Sequence, residues 1–201
     1  MDDAGLISDG SPVTKRFFSI LLGFLAFGEF KPTFALHQAV FYSLLRYSPI
    51  SMHVLKWIEA CLVLFVWGAA VKSISGKRVS VPIFIAVSLS FQYLYDTFFL
   101  STHEFLGVLF CSLALHCFLM GLLAPSQLQF TALFTGGVLS MVIGFGAKEP
   151  LVAVGVAFGI GLTILGWIES EIRSRALWVG LVNLVGTVTY GISLKMFAQG
   201  A

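Results

Sequence analysis

Long apolar runs joined by short charged links dominate this chain from residue 49 onward. A run of about 20 apolar residues matches the roughly 30 Å hydrocarbon core of a bilayer. Inside hydrocarbon every backbone N–H and C=O must find its partner within the protein, so such runs fold as helices. Mean hydropathy is +0.94 and 11% of residues are charged, against about 25% in soluble domains. The sequence therefore predicts an all-α, polytopic integral membrane protein. Six transmembrane helices are expected near 50–73, 80–97, 103–123, 130–147, 150–168 and 176–197. Short links imply antiparallel neighbours. Gly155 and Gly159 form a G-x-x-x-G step that permits close helix contact.

The first 48 residues read differently from the bundle at 49–201. The chain starts Met1-Asp2-Asp3, and no basic segment followed by an apolar core begins there, so a signal peptide is not expected. The run Phe17 to Phe27 is too short to span a bilayer. Two interfacial helices are expected over 12–28 and 33–46, with Pro12 in the first turn of one and Pro32 between them. The second mixes Phe34, Leu36, Val40, Phe41, Leu44 and Leu45 with His37, Gln38 and Arg46, a composition suited to the membrane surface.

Net charge is +2, which gives no reason to expect a nucleic-acid partner. Cys61, Cys111 and Cys117 lie in apolar runs and read as small packed hydrophobes. His37 and His116 read as packing residues, and His53 as at most a structural hydrogen-bonding partner. No Cys/His pair has zinc-site spacing, and no phosphate-loop or dinucleotide fingerprint appears. Lys72, Lys77 and Arg78 fall on the same side of an alternating six-span bundle as Arg173 and Arg175. That side is expected to be cytoplasmic, although Lys15, Arg16, Lys31 and Arg46 then lie outside. Asp2, Asp3, Asp9, Glu29, Lys31, Asp96, His103, Glu104, Lys148 and Glu149 gather on the outer face. Glu59 is the one acid expected well inside a span.

The link Ala147-Lys148-Glu149-Pro150 reads as a charged lip between two spans, because the proline favours a break before the next helix. In chain order the motifs are Asp2-Asp3, Gly28-Glu29-Phe30-Lys31-Pro32, Met52-His53-Val54, Thr102-His103-Glu104 and Ala147-Lys148-Glu149-Pro150. This order resembles the GT-C glycosyltransferases, above all the branch of protein O-mannosyltransferases and their bacterial counterparts. The resemblance runs over nearly the whole chain. It departs where Lys31 stands for the more usual Arg and where a span before Asp-Asp would be expected. The resemblance further implies that the chain is a fragment of a longer protein.

What it implies is an inverting hexosyl-type transfer from a polyprenyl-phosphate sugar to an acceptor protein or glycan, at a periplasmic, extracellular or lumenal membrane face. Asp3, or Asp2 one register away, becomes the candidate catalytic base. Lys148, Glu149, Lys31, Glu104 and His103 become candidate substrate-binding residues. Each also has a plainer reading. The acids are a solvated terminus, Lys148 is an interfacial lysine paired with Glu149, Lys31 contacts head groups, and Glu104 and Glu149 favour helix N-termini. Asp96 is a weaker candidate. A divalent metal is compatible with the scheme, but no metal ligands are assigned. The competing readings are a transporter or channel half, with charges at mid-bilayer, and a non-catalytic membrane scaffold.

Overall fold

The computed structural model describes residues 12–27, 29–45, 48–75, 104–147 and 151–200. The expected span at 80–97, Asp2, Asp3, Asp96, His103, Lys148 and Glu149 lie outside them. The described residues fold as α-helices: α1 (Val13–Ala26), α2 (Pro32–Leu45), α3 (Pro49–Ser75), α4 (Glu104–Leu122), α5 (Gln127–Phe145), α6 (Leu151–Ile168) and α7 (Arg173–Gly200). Five of them, α3 to α7, are long and apolar enough to cross a membrane. Proline occupies the first position of α2 and of α3, where its missing N–H costs no helical hydrogen bond. Pro12 stands one residue before α1, as its cap.

Two antiparallel hairpins make the centre. In the first, α4 and α5 turn through residues 123–126. The Ser126 hydroxyl accepts a hydrogen bond from the Gln129 N–H at 3.3 Å, which caps α5. This cap starts α5 at Gln127 rather than at 130, where the apolar run begins. In the second hairpin α7 begins at Arg173 rather than 176. There Arg175 Nη1 donates to the Ala124 carbonyl at 2.6 Å and its guanidinium lies 5.2 Å from the Phe130 ring centre. The two hairpin turns thus share one end of the bundle.

The α6–α7 seam confirms the close contact expected of Gly155 and Gly159. A Cβ on Gly180 would stand 2.9 Å from the Gly159 carbonyl oxygen and 2.8 Å from the Thr163 nitrogen. Asn183 Nδ2 donates to the Gly155 carbonyl at 3.0 Å, and Thr187 Oγ1 donates to Asn183 Oδ1 at 3.3 Å. A polar clamp therefore closes the seam without leaving a buried amide unpaired. The opposite faces carry Ile160, Ile164 and Trp167 on α6 and Leu181, Val185, Val188 and Ile192 on α7, all exposed. Apolar exposure at helical spacing is what a lipid-facing surface requires.

One packing joins the first and third expected spans, which alternation across the bilayer makes parallel. Ala60 and Val63 of α3 share a cluster with Phe105, Val108 and Leu109 of α4, while Ala70 joins Cys111 and Ala114 in the main core. Contacts advance in the same direction along both helices, so α3 and α4 are parallel. The chain leaves α3 at one end and enters α4 at the other. Because Phe105 is level with Ala60 and Val63, the first turns of α3 project beyond the start of α4. Of the thiols, Cys111 is buried and Cys117 half-buried, but Cys61 is exposed on α3, so it is not a packed core residue.

Gly180→Ala should lower stability by about 1–3 kcal/mol through overpacking of the seam. Gly186→Ala, which meets nothing within 4 Å, should be neutral or stabilising by up to ~1 kcal/mol. Reversible unfolding in mixed micelles measures both, and equal losses would contradict the seam.

Candidate functional site

Charged side chains collect at the end of the bundle where α2, α3 and α4 begin and α5 ends. Lys31 immediately precedes Pro32, and the Thr33 N–H donates to the Gly146 carbonyl at 3.0 Å. Gly146 permits this approach, since a Cβ there would run into the Thr33 hydroxyl and come within 3.4 Å of the Pro32 ring. The start of α2 is thereby stapled to the end of α5. Gly107, in the first turn of α4, lies against the Leu151 side chain, the Gly144 carbonyl and Ala147. Ala147 and Leu151 flank the charged lip at 148–150. Lys31, the start of α4 at Glu104 and both flanks of that lip therefore meet at one end.

Lys31 is itself 7% exposed. Its Nζ lies 2.5 Å from Glu29 Oε2 and 5.1 Å from the Phe24 ring centre. A buried ammonium needs such a counter-charge, and the aromatic face adds a cation–π attraction. Glu29 remains partly in solvent, with its side chain 42% exposed. An anionic ligand reaching Lys31 must share it with this carboxylate.

Sequence reasoning missed a second polar contact. His37 Nε2 on α2 lies 2.6 Å from Glu59 Oε1 on α3, with side chains 13% and 10% exposed. His37 is thus not merely a packing residue. Glu59 lies on the buried face of α3 with Met52, Lys56 and Val63, and the Lys56 Nζ stands 5.7 Å from the Phe105 ring centre. Since Phe105 packs level with Ala60 and Val63, Glu59 belongs to the first-turn layer of α4. Lys56 is one turn nearer the projecting end of α3. Beside α4 these charges lie at its first turn, while on α3 itself Glu59 falls near the middle of the apolar stretch Ile50–Ala70, as expected of an acid well inside a span. The signal for the layer was present in sequence. Lys56 and Glu59, three residues apart, interrupt an otherwise apolar helical stripe.

Two buried polar atoms lack a protein partner among the described residues of α2: His37 Nδ1 and Gln38 Oε1. His116 Nδ1, on α4, is a third. With Glu59 accepting at Nε2, neutral His37 keeps its proton there and turns the Nδ1 lone pair into an acceptor. No three His, Cys, Asp or Glu side chains among the described residues are grouped to hold a metal ion.

Breaking the α2–α3 contact from one side leaves the other group buried and unpaired, which typically costs about 3–5 kcal/mol for a buried ion pair. His37→Phe should therefore destabilise more than the double variant His37→Phe/Glu59→Leu. A double-mutant cycle should return a coupling of roughly 1–3 kcal/mol. Additive losses would show that the two side chains do not interact.

Among known proteins, no family model, no curated sequence and no solved structure matches this chain.

Proposed function

We propose that this chain is the membrane-embedded part of a transferase of GT-C type. In this reading it takes a polyprenyl-phosphate sugar from the bilayer at the end that carries Lys31. The observation that carries the reading is the convergence of Lys31, the start of α4 and the residues flanking Lys148 and Glu149. They are brought together by the Thr33–Gly146 hydrogen bond and the Gly107 contacts.

In this reading α1 and α2 lie in the interface. Their exposed Phe18, Leu22, Leu36 and Leu44 enter the acyl region. Lys72, Arg173 and Arg175 mark the opposite, cytoplasmic end. The donor's polyprenyl tail stays in lipid while its phosphate meets Lys31 and Lys148. Compact ammonium charges offset the negative charge that builds on the leaving phosphate. Asp3, or Asp2, accepts the proton from the acceptor hydroxyl. That oxygen attacks the anomeric carbon. The bond from this carbon to the phosphate oxygen breaks, and its electron pair leaves with the phosphate. A single displacement of this kind inverts the anomeric configuration. Glu104, His103 and Glu149 orient the acceptor or the phosphate.

The protein reconstituted in vesicles with a short-chain polyprenyl-phosphate hexose should transfer sugar to an acceptor hydroxyl. Lys148→Ala and Asp3→Asn should each reduce transfer by about 10²–10⁴-fold without loss of folded protein. Lys31→Ala should weaken donor binding more than turnover. Full activity in both Lys148→Ala and Asp3→Asn would end the proposal.

A further inference from the structure

A cavity opens at the end of the bundle opposite Lys31, where α4 and α6 finish and the turn into α7 begins. Leu122 and Leu123 at the end of α4, Leu165 of α6 and Ile172 give it apolar walls, and Glu169 and Glu171 of the turn complete it. Leu123, Glu169 and Glu171 are exposed, so the cavity opens outward between them. Its volume is about 230 Å³. That exceeds the ~150 Å³ of an apolar cavity that takes up benzene. It falls short of the roughly 300–1,000 Å³ of pockets that enclose a whole small ligand. A cavity of this size holds part of an amphiphile and leaves the rest in the bilayer.

Aromatic side chains mark the depth of this end. Trp167 in the last turn of α6 and Trp178 in the second turn of α7 are 73% and 50% exposed. Tryptophan in such places sits at the boundary between acyl chains and head groups. The leucines of the cavity therefore face the acyl side, and the two carboxylates stand at head-group level. No described residue forms an ion pair or a hydrogen bond with the side chain of either glutamate. Arg175 is directed elsewhere, to the Ala124 carbonyl and the Phe130 ring. Arg173, two residues after Glu171, is exposed at the same end. An apolar recess with two uncompensated carboxylates at its polar edge is complementary to a cation that carries an apolar body.

We infer that this cavity binds a membrane phospholipid with a primary-ammonium head group, of the phosphoethanolamine kind. The ammonium donates to Glu169 and Glu171, the phosphate lies toward Arg173, and the upper part of an acyl chain fills the space beside Leu122, Leu165 and Ile172. The head group is selected by its chemistry. A primary ammonium brings three N–H donors, and hydrogen bonds between ions are the strong ones. A trimethylammonium carries the same charge with no donor. A glycerol head group has no cation, and a serine head group adds a carboxylate that the two glutamates repel. The site lies far from Lys31 and does not rest on the transfer chemistry.

Native mass spectrometry tests this on the whole protein, released from nanodiscs of equal parts phosphatidylethanolamine, phosphatidylcholine and phosphatidylglycerol with the same acyl chains. One ethanolamine lipid per chain should stay bound, about fivefold to tenfold more often than the choline lipid. Glu169→Gln/Glu171→Gln, which keeps side-chain shape at two exposed positions, should bring the two lipids level with helix content unchanged. Leu123→Trp, which fills the cavity and keeps both carboxylates, should also abolish the preference. Equal retention of the three lipids by the wild-type protein would overturn the site, and so would retention of none or a preference for the glycerol lipid. An ethanolamine preference that survives Glu169→Gln/Glu171→Gln would overturn it as well.

Discussion

Hydrocarbon offers the backbone no hydrogen-bonding partner, and the rest of this structure follows from that constraint. It forces the apolar runs into helices and expels charge from the helix–lipid surface. It also rewards buried polar groups that find a neighbour. Asn183 reaches the Gly155 carbonyl, Arg175 the Ala124 carbonyl, and Glu59 the His37 ring. Where helices come closest, at Gly159 and Gly180, glycine removes the side chains that would hold the backbones apart. Lipid tails are as apolar as leucine, so packing and hydrogen bonds of this kind hold such helices together.

Charge within the described residues gathers beside the starts of α2 and α4, around the first half of α3. Lys31, Glu29, His37, Lys56 and Glu59 lie near the starts of α2 and α4, and Ala147 and Leu151 pack there against Gly107. There the cations are not exposed to bulk water. Lys31 is covered by Phe24 and Lys56 stands over Phe105. Water-poor positive charge is strong toward an anion but selective, because the ligand must displace or accommodate the resident carboxylate.

Much of the architecture was legible in the sequence because composition and run length decide membrane helices. Five described helices fall where spans were expected, and the sixth expected span lies outside the described residues. Their ends were less legible. Gln127 and Gln129 dilute hydropathy at the start of α5, yet Ser126 caps it; Arg173 and Arg175 do the same at α7, where Arg175 finds a carbonyl partner. Alternating spans already imply that α3 and α4, the first and third, run parallel, but that they pack directly on each other is a property of space that no local pattern carries. For the site, Lys31 stood out because a charge beside a proline marks a boundary. The His37–Glu59 contact did not, because its partners are 22 residues apart on separate helices. Only the polar break in the stripe of α3 hinted that something must answer it.

The parallel arrangement of α3 and α4 also has a temporal consequence. The hairpins α4–α5 and α6–α7 join neighbours in sequence through turns of a few residues, so little chain must be ordered before their contacts form. The contacts of α3 with α4, and of Thr33 with Gly146, close loops of tens to more than a hundred residues. Such long-range closures come late, because their entropy is lost before their contacts reward it. The charged end is therefore built from the last junctions to form. By the same reasoning it is the part of the molecule that opens first when the bundle is perturbed.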